Sequence, residues 1–169
     1  LDCCRLTRHS KQPTMAATVR YSSRPLPAYA HTPGKTRRPT DESAATGVAP
    51  LSSDGWQASE THRYAVDLFN AGFWWEAHEA WEALWIAAGR RGPEADCLKA
   101  FIKLAAAGVK QREGRDAGVR RHAARCLDLL EPCAEQRRYG ISLDAVRGFA
   151  RHAATLGHTP EVMRLTLAD

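Results

Sequence analysis

The run Phe69-Asn-Ala-Gly-Phe-Trp-Trp-Glu-Ala-His-Glu-Ala-Trp-Glu-Ala-Leu-Trp85 sets Glu76, His78, Glu79 and Glu82 among four of the chain's five tryptophans. Carboxylates and an imidazole at this spacing can hold a cation or move a proton, and indoles around them keep out the water that would screen either task. A solvated helix has no use for the indoles and an ordinary core helix rejects the acids, so the acids are expected in a part-buried pocket. His78 and Glu82 stand four apart and can share a divalent metal. The His-Glu-x-x-His of zinc proteases puts two histidines on one face. Here the text is His78-Glu79-Ala80-Trp81-Glu82, with a carboxylate in the second ligand position. Carboxylate-bridged di-metal bundles repeat Glu-x-x-His on two helices, whereas this chain has Glu76-x-x-Glu79 and Glu79-x-x-Glu82. A third ligand would come from elsewhere, with His62, His122 or His152 as candidates.

The same residues support a metal-free reading. Glu79 or Glu82 is then the general base, His78 the acid or orienting group, and Lys103 or Lys110 holds an anionic group of a small substrate. Asn70, Trp75 and Glu76 would line the pocket. In a third reading the cluster binds nothing: it satisfies a lysine stripe and neighbouring indole N–H groups and so fixes helix register. The sequence leaves open whether the protein is an enzyme.

The elements that must position these residues read as helices. At roughly 100° per residue, Trp75, His78, Glu79, Trp81, Glu82, Trp85 and Ile86 share a little over half of one helix, and Ala77, Ala80, Ala83 and Leu84 take the rest. Small residues there admit a close neighbour, so this helix is expected to be buried on two sides. It spans residues 73–88, after a first helix over 57–71 that stops at Gly72. A third begins at Pro93 with Glu94 and Asp96 in its first turn and continues to 113; a fourth covers 116–131. Ser142 and Thr159-Pro160-Glu161 mark two further starts. On the third helix Lys99, Lys103 and Lys110 lie within roughly 40° of one another, opposite Leu98, Phe101 and Ile102, which directs Lys103 at Glu79 or Glu82. Asn70-Ala-Gly72 reads as a turn, Gln136-Arg137-Arg138 as a loop, and His122 with Arg120, Arg121 and Arg125 as a solvated face. No stretch alternates with period two over strand length. The expected fold is all-α, a compact antiparallel bundle of five to six helices over residues 55–169.

Residues 1–50 form a Pro/Ser/Arg-rich arm, disordered or extended, in which Tyr21, Leu26 and Tyr29 offer contacts to the domain. Residues 1–14 precede the first methionine, Met15, and are expected to lie outside the natural chain. The arm carries 8 Lys+Arg against 3 Asp+Glu, and residues 51–169 carry 16 of each, so the whole net charge of +5 sits in the arm. A balanced domain argues against nucleic-acid binding. The prolines break the amphipathic helix an organelle transit peptide needs. No apolar run is long enough to span a membrane, and the five cysteines show no C-x-x-C spacing, which suits small hydrophobes in a reducing cytoplasm. The partners left are a small polar ligand or ion and a second copy of the chain, as a homo-oligomer.

Phe69-Asn70-x-Gly72-x-x-x-Glu76-x-His78-Glu79-x-Trp81-Glu82-x-x-Trp85, followed by Phe101-Ile102-Lys103-x-Ala105 and by Gly114 and Gly118, resembles the domain of unknown function 309 family over residues 60–131. The resemblance implies a small all-helical bundle and marks Asn70, Gly72, Glu76, His78, Glu79 and Glu82 as the matching positions. The family often carries Gln-Gly, Gln and His where this chain has Lys99-Ala100, Lys103 and Lys110, so it assigns the lysines no role. The family's function, as its name says, is not established. Two functions are therefore carried forward: a helical bundle whose part-buried Glu/His pocket binds a small polar ligand or ion and acts on it, and a non-catalytic scaffold for a peptide or protein.

Overall fold

The computed structural model describes residues 19–37 and 47–168. Residues 1–18, among them the 1–14 expected to lie outside the natural chain, 38–46 and 169 lie outside them. After a single 3-10 turn at Trp56–Ala58 come α1 (Glu60–Asn70), α2 (Trp74–Ala87), α3 (Pro93–Arg112), α4 (Asp116–Leu130) and α5 (Leu143–Leu156). A short hairpin, β1 (Arg137–Arg138) paired antiparallel with β2 (Ile141–Ser142), precedes α5. The fold is all-α apart from that hairpin, with five helices among the described residues.

Local chemistry explains where the helices begin and end. Ser59 caps α1 by accepting from the His62 N–H, and Ser142 caps α5 by accepting from Ala145. Pro93 opens α3, where a missing N–H costs nothing. At the end of α1, Gly72 adopts φ +81 while Phe73 N–H reaches the Leu68 carbonyl at 2.8 Å and Gly72 N–H the Phe69 carbonyl at 3.1 Å. These paired bonds let α2 start almost at once.

The central helix is α3, packed against α2 on one side and α4 on the other; α1 covers α2 and α5 covers α4. Two glycines set its level against its neighbours. A Cβ on Gly108 would lie 2.5 Å from the Trp74 ring, and one on Gly118 would lie 2.9 Å from Cγ of Lys110. Both pairs of helices run antiparallel. Moving five residues from the first contact brings Glu79 level with Lys103, and moving seven from the second brings Lys103 level with Arg125. Lys99 Nζ, 5.1 Å from the Trp85 ring centroid, fits the same register.

Two expectations are corrected. Gln136-Arg137-Arg138 is not wholly loop but supplies β1, whose two-residue turn uses Tyr139 at φ 50 and Gly140 at φ 75. Thr159-Pro160-Glu161 does not start a helix. Residues 159–168 run extended, with Met163 and Leu165 buried, Val162 exposed and Leu167 bridged to Ile141. The segment is held by Asn70, whose side-chain amide donates to the Leu165 carbonyl and accepts from the Leu165 N–H, each at 2.8 Å.

The described part of the arm holds no helix or strand, turns at residues 32–36 and is docked on α1 and α2. Asp67 of α1, with no side-chain exposure, accepts from the backbone N–H of Tyr21 and Ser22 at 2.9 Å each and pairs with Arg20 at 3.0 Å. Arg63 donates to the Tyr21 carbonyl and Tyr64 to that of Pro25. Tyr21 and Leu26 pack on the core, as their apolarity suggested, while Tyr29 is exposed. Among the described residues no helix is long and apolar enough to cross a membrane.

Candidate functional site

On α2 the residues Ala77, Trp81 and Leu84, at i, i+4 and i+7, are buried and face the core. Trp81 is fully buried between Phe69 and Phe101, at ring-centroid distances of 5.9 and 5.6 Å. Its placement on the acidic face is therefore corrected: it lies on the core side. Its indole N–H donates to His62 Nδ1 at 3.4 Å, and His62 Nε2 donates to the Tyr139 carbonyl at 2.8 Å. An indole can only donate and a carbonyl only accept, so these partners fix His62 as the neutral Nε2–H tautomer. Burial holds its pKa down, to about 4. His62 is a structural residue and leaves the set of candidate ligands.

The adjoining stripe of α2 carries His78, Glu79 and Glu82, all half-buried. One ligand atom from each gathers so that all lie within 4.8 Å of one another. Trp75 stacks on His78 at 5.9 Å and 15° between planes, and His31 of the arm meets the Trp75 ring edge-on at 5.0 Å. Burial lowers the pKa of His78; Glu82 and Glu79 oppose that, and Lys103 adds to it. The imidazole is thus neutral near pH 7, and its buried Nδ1 has no hydrogen-bond partner among the described residues. The buried indole N–H groups of Trp74, Trp75 and Trp85 lack partners too, so the cluster does not serve to satisfy them.

From α3, Lys103 stands half-buried on the same level, its pKa lowered by burial first and then by Lys99 and Arg125, with Glu82 opposing and Arg121 adding. Although Lys103 was expected to point at Glu79 or Glu82, no carboxylate lies within 4.0 Å of it among the described residues. From α4 comes His122, half-buried rather than part of a solvated face. Its pKa is pushed down to about 4 by burial, Lys103, Arg121, Lys110 and His78, in that order. Its electrostatic link to His78 sets it apart from His152, whose ring pairs with His158 on and beyond α5 at 5.1 Å. His122 remains outside the group gathered within 4.8 Å.

Three expected site residues have other partners. Asn70 holds the C-terminal segment. Glu76 accepts the His31 N–H at 2.7 Å through Oε1. Lys110 pairs with Glu113 at 2.7 Å, beside a cavity of about 450 Å³ lined by Pro33, Gly34, Lys35, Lys110, Glu113 and Arg115. That cavity lies two turns of α3 away from Lys103, roughly 10 Å along the axis. Cys97 and Cys126 are buried and their thiols are pushed up by burial, Cys126 to about 12, so they act as small apolar side chains.

No curated protein matches the chain. Residues 62–122 do match a family model, and that stretch carries Glu76, His78, Glu79, Glu82, Lys103 and His122 together. Over those residues the chain is similar to the family described as Domain of unknown function (DUF309).

Proposed function

We propose that the half-buried face of α2 binds a divalent cation through His78, Glu79 and Glu82, and that a small polar ligand completes the coordination of that cation. The observation that carries this reading is the gathering of one imidazole and two carboxylate ligand atoms within 4.8 Å. Three ligands around a tetrahedral ion at about 2.1 Å are roughly 3.4 Å apart, so side-chain rotations of about an ångström bring these atoms into place. Nitrogen with two carboxylates suits zinc, manganese or iron, and two negative charges balance a divalent ion. A neutral imidazole with an unpartnered nitrogen is also the form a metal needs. Coordination positions not filled by α2 would hold water or a ligand oxygen. Metal-bound water ionises far more readily than free water, which gives the site a route to hydrolysis.

A second reading, the non-catalytic scaffold, has its own support: α1 and α2 already hold an extended segment, residues 20–31 of this chain. In that case the cluster is structural, and His78→Ala or Glu79→Gln costs several kcal/mol because it strands a half-buried partner, on the order of 3 kcal/mol. Metal content of tag-free protein, measured by inductively coupled plasma mass spectrometry beside thermal melts, separates the two. The cation reading expects near-stoichiometric metal in wild type, its loss in His78→Ala, and a melt of the metal-free variant close to that of metal-free wild type. Metal-free wild type that gains no stability from added Zn²⁺ or Mn²⁺ overturns it, because an excess of about 100 times Kd should add about 2.7 kcal/mol.

A further inference from the structure

Lys103 and its neighbour Lys99, which lies over the Trp85 ring at 5.1 Å, differ from the other half-buried cations of this fold. Arg63 and Arg112 donate to backbone carbonyls, Lys110 pairs with Glu113 at 2.7 Å, and Arg147 pairs with Asp144 at 3.0 Å. Lys103 has no ion pair within 4.0 Å among the described residues, yet it occupies the middle helix at the level of Glu79 on one side and Arg125 on the other. Arg121 and Arg125 are four apart on α4 and so share a face, and the side chain of Arg125 reaches only the exposed Asp128, at 3.6 Å. Three cations thus act on one another opposite the acids of α2, and the anion paired with them among the described residues is the exposed Asp128 at Arg125. Two exposed arginines brought beside a half-buried lysine cost free energy that an anion would recover. The domain beyond residue 50 has equal numbers of acidic and basic side chains, so this is a local patch and not the broad basic face that a nucleic-acid backbone needs.

We infer that the ligand completing the site is a small oxyanion, a carboxylate or a phosphate, held between the cation on His78, Glu79 and Glu82 and the basic group of Lys103, Arg121 and Arg125. The inference rests on the cation reading above. A metal and a lysine on one level favour a ligand with two or more oxygens, one for each, and the arginines on α4 close the other side with planar donors suited to either anion. His122, neutral and half-buried beside Lys103, supplies a further hydrogen bond.

The test is isothermal titration calorimetry on the full chain. Mn²⁺ alone is titrated first into wild type, Lys103→Gln and the double variant Arg121→Gln/Arg125→Gln, whose altered side chains are exposed and leave the fold intact. Inorganic phosphate and, separately, malonate then follow with and without Mn²⁺. The expected result is Mn²⁺ affinity unchanged or tighter in both variants, binding of phosphate or malonate to the Mn²⁺ form, and a loss of tenfold or more in anion affinity in each variant. Whichever anion binds identifies the source of the oxygens. Mn²⁺ binding without either anion, or anion affinity equal in all three proteins, overturns the inference and leaves the cation reading standing. Anion binding that needs Lys103 but occurs without Mn²⁺ affinity supports the basic subsite and overturns the cation reading instead.

Discussion

Replacing Asp67 by alanine tests whether the arm is part of the folded domain. The carboxylate has no exposure and receives three donors: two backbone N–H groups at 2.9 Å and the Arg20 Nε at 3.0 Å. Hydrogen bonds to a charged group are worth about 1.5–3 kcal/mol each, so the gross interaction is on the order of 6 kcal/mol. The net loss is smaller. Once the carboxylate is gone, residues 20–22 can lift away and recover water for their amides, so the loss is capped by what docking this stretch contributes. Breaking a buried pair usually costs about 3–5 kcal/mol, and the cap favours the lower end, about 3 kcal/mol. For a domain of this size each kcal/mol moves the melting point by about 3 °C, giving a fall of roughly 10 °C in a thermal melt followed by circular dichroism. Amide hydrogen exchange supplies the local readout, because Tyr21 and Ser22 should lose protection while α3 keeps it. The lift should also change Trp75 fluorescence, since His31 packs on that ring. An unchanged melting point with protected Tyr21 and Ser22 amides would refute the argument that Asp67 anchors the arm.

Three further outcomes follow from named contacts. His62 has a folded pKa of about 4 against 6.5 unfolded, so it favours the fold above pH 6.5, and that contribution is lost as pH falls from 6.5 toward 4. The full loss is about 3 kcal/mol, from roughly 1.4 kcal/mol per pH unit, and urea melts of wild type between pH 7.5 and 4.5 should fall more steeply than those of His62→Gln. Gly108→Ala drives a methyl to 2.5 Å from the Trp74 ring and should destabilise by about 1–3 kcal/mol despite the better helix former. Gly148→Ala, with nothing within 4 Å of the new Cβ on α5, should instead stabilise by up to about 1 kcal/mol, and equal effects at the two glycines would sink the packing argument.

The helices were legible because their ends carry their own chemistry: Pro93, Gly72 and the Ser142 cap act within a few residues of the boundary they set. What escaped depended on partners far along the chain. Val162-Met-Arg-Leu-Thr-Leu167 does alternate over strand length, against the expectation that no stretch would, with Met163 and Leu165 buried; its anchor, Asn70, lies 95 positions away from Leu165. A hairpin with two residues in each strand is too short to show any period. Docking of the arm had one sign, an acid at Asp67 between Val66 and Leu68, but a sequence does not say whether such a carboxylate meets a side chain or a backbone.

The candidate site divides the same way. His78, Glu79 and Glu82 were readable as a group because one helix gathers them, and no other element is needed to explain their proximity. Trp81 was misplaced because angles on a wheel describe a helix without its neighbours; the triple Ala77, Trp81 and Leu84 is what α1 and α3 select as the buried edge. His122 was hidden for a related reason. Its approach to Lys103 and His78 depends on how far α4 slides along α3, and the sequence expresses that sliding only through the close contact of Gly118 with the stem of Lys110. Gly108 plays the same part between α2 and α3. The residues that bring the functional groups to one level are therefore these two glycines, which carry no chemistry themselves. A larger side chain at either would shift the level of an entire helix and separate groups that remain intact in the sequence.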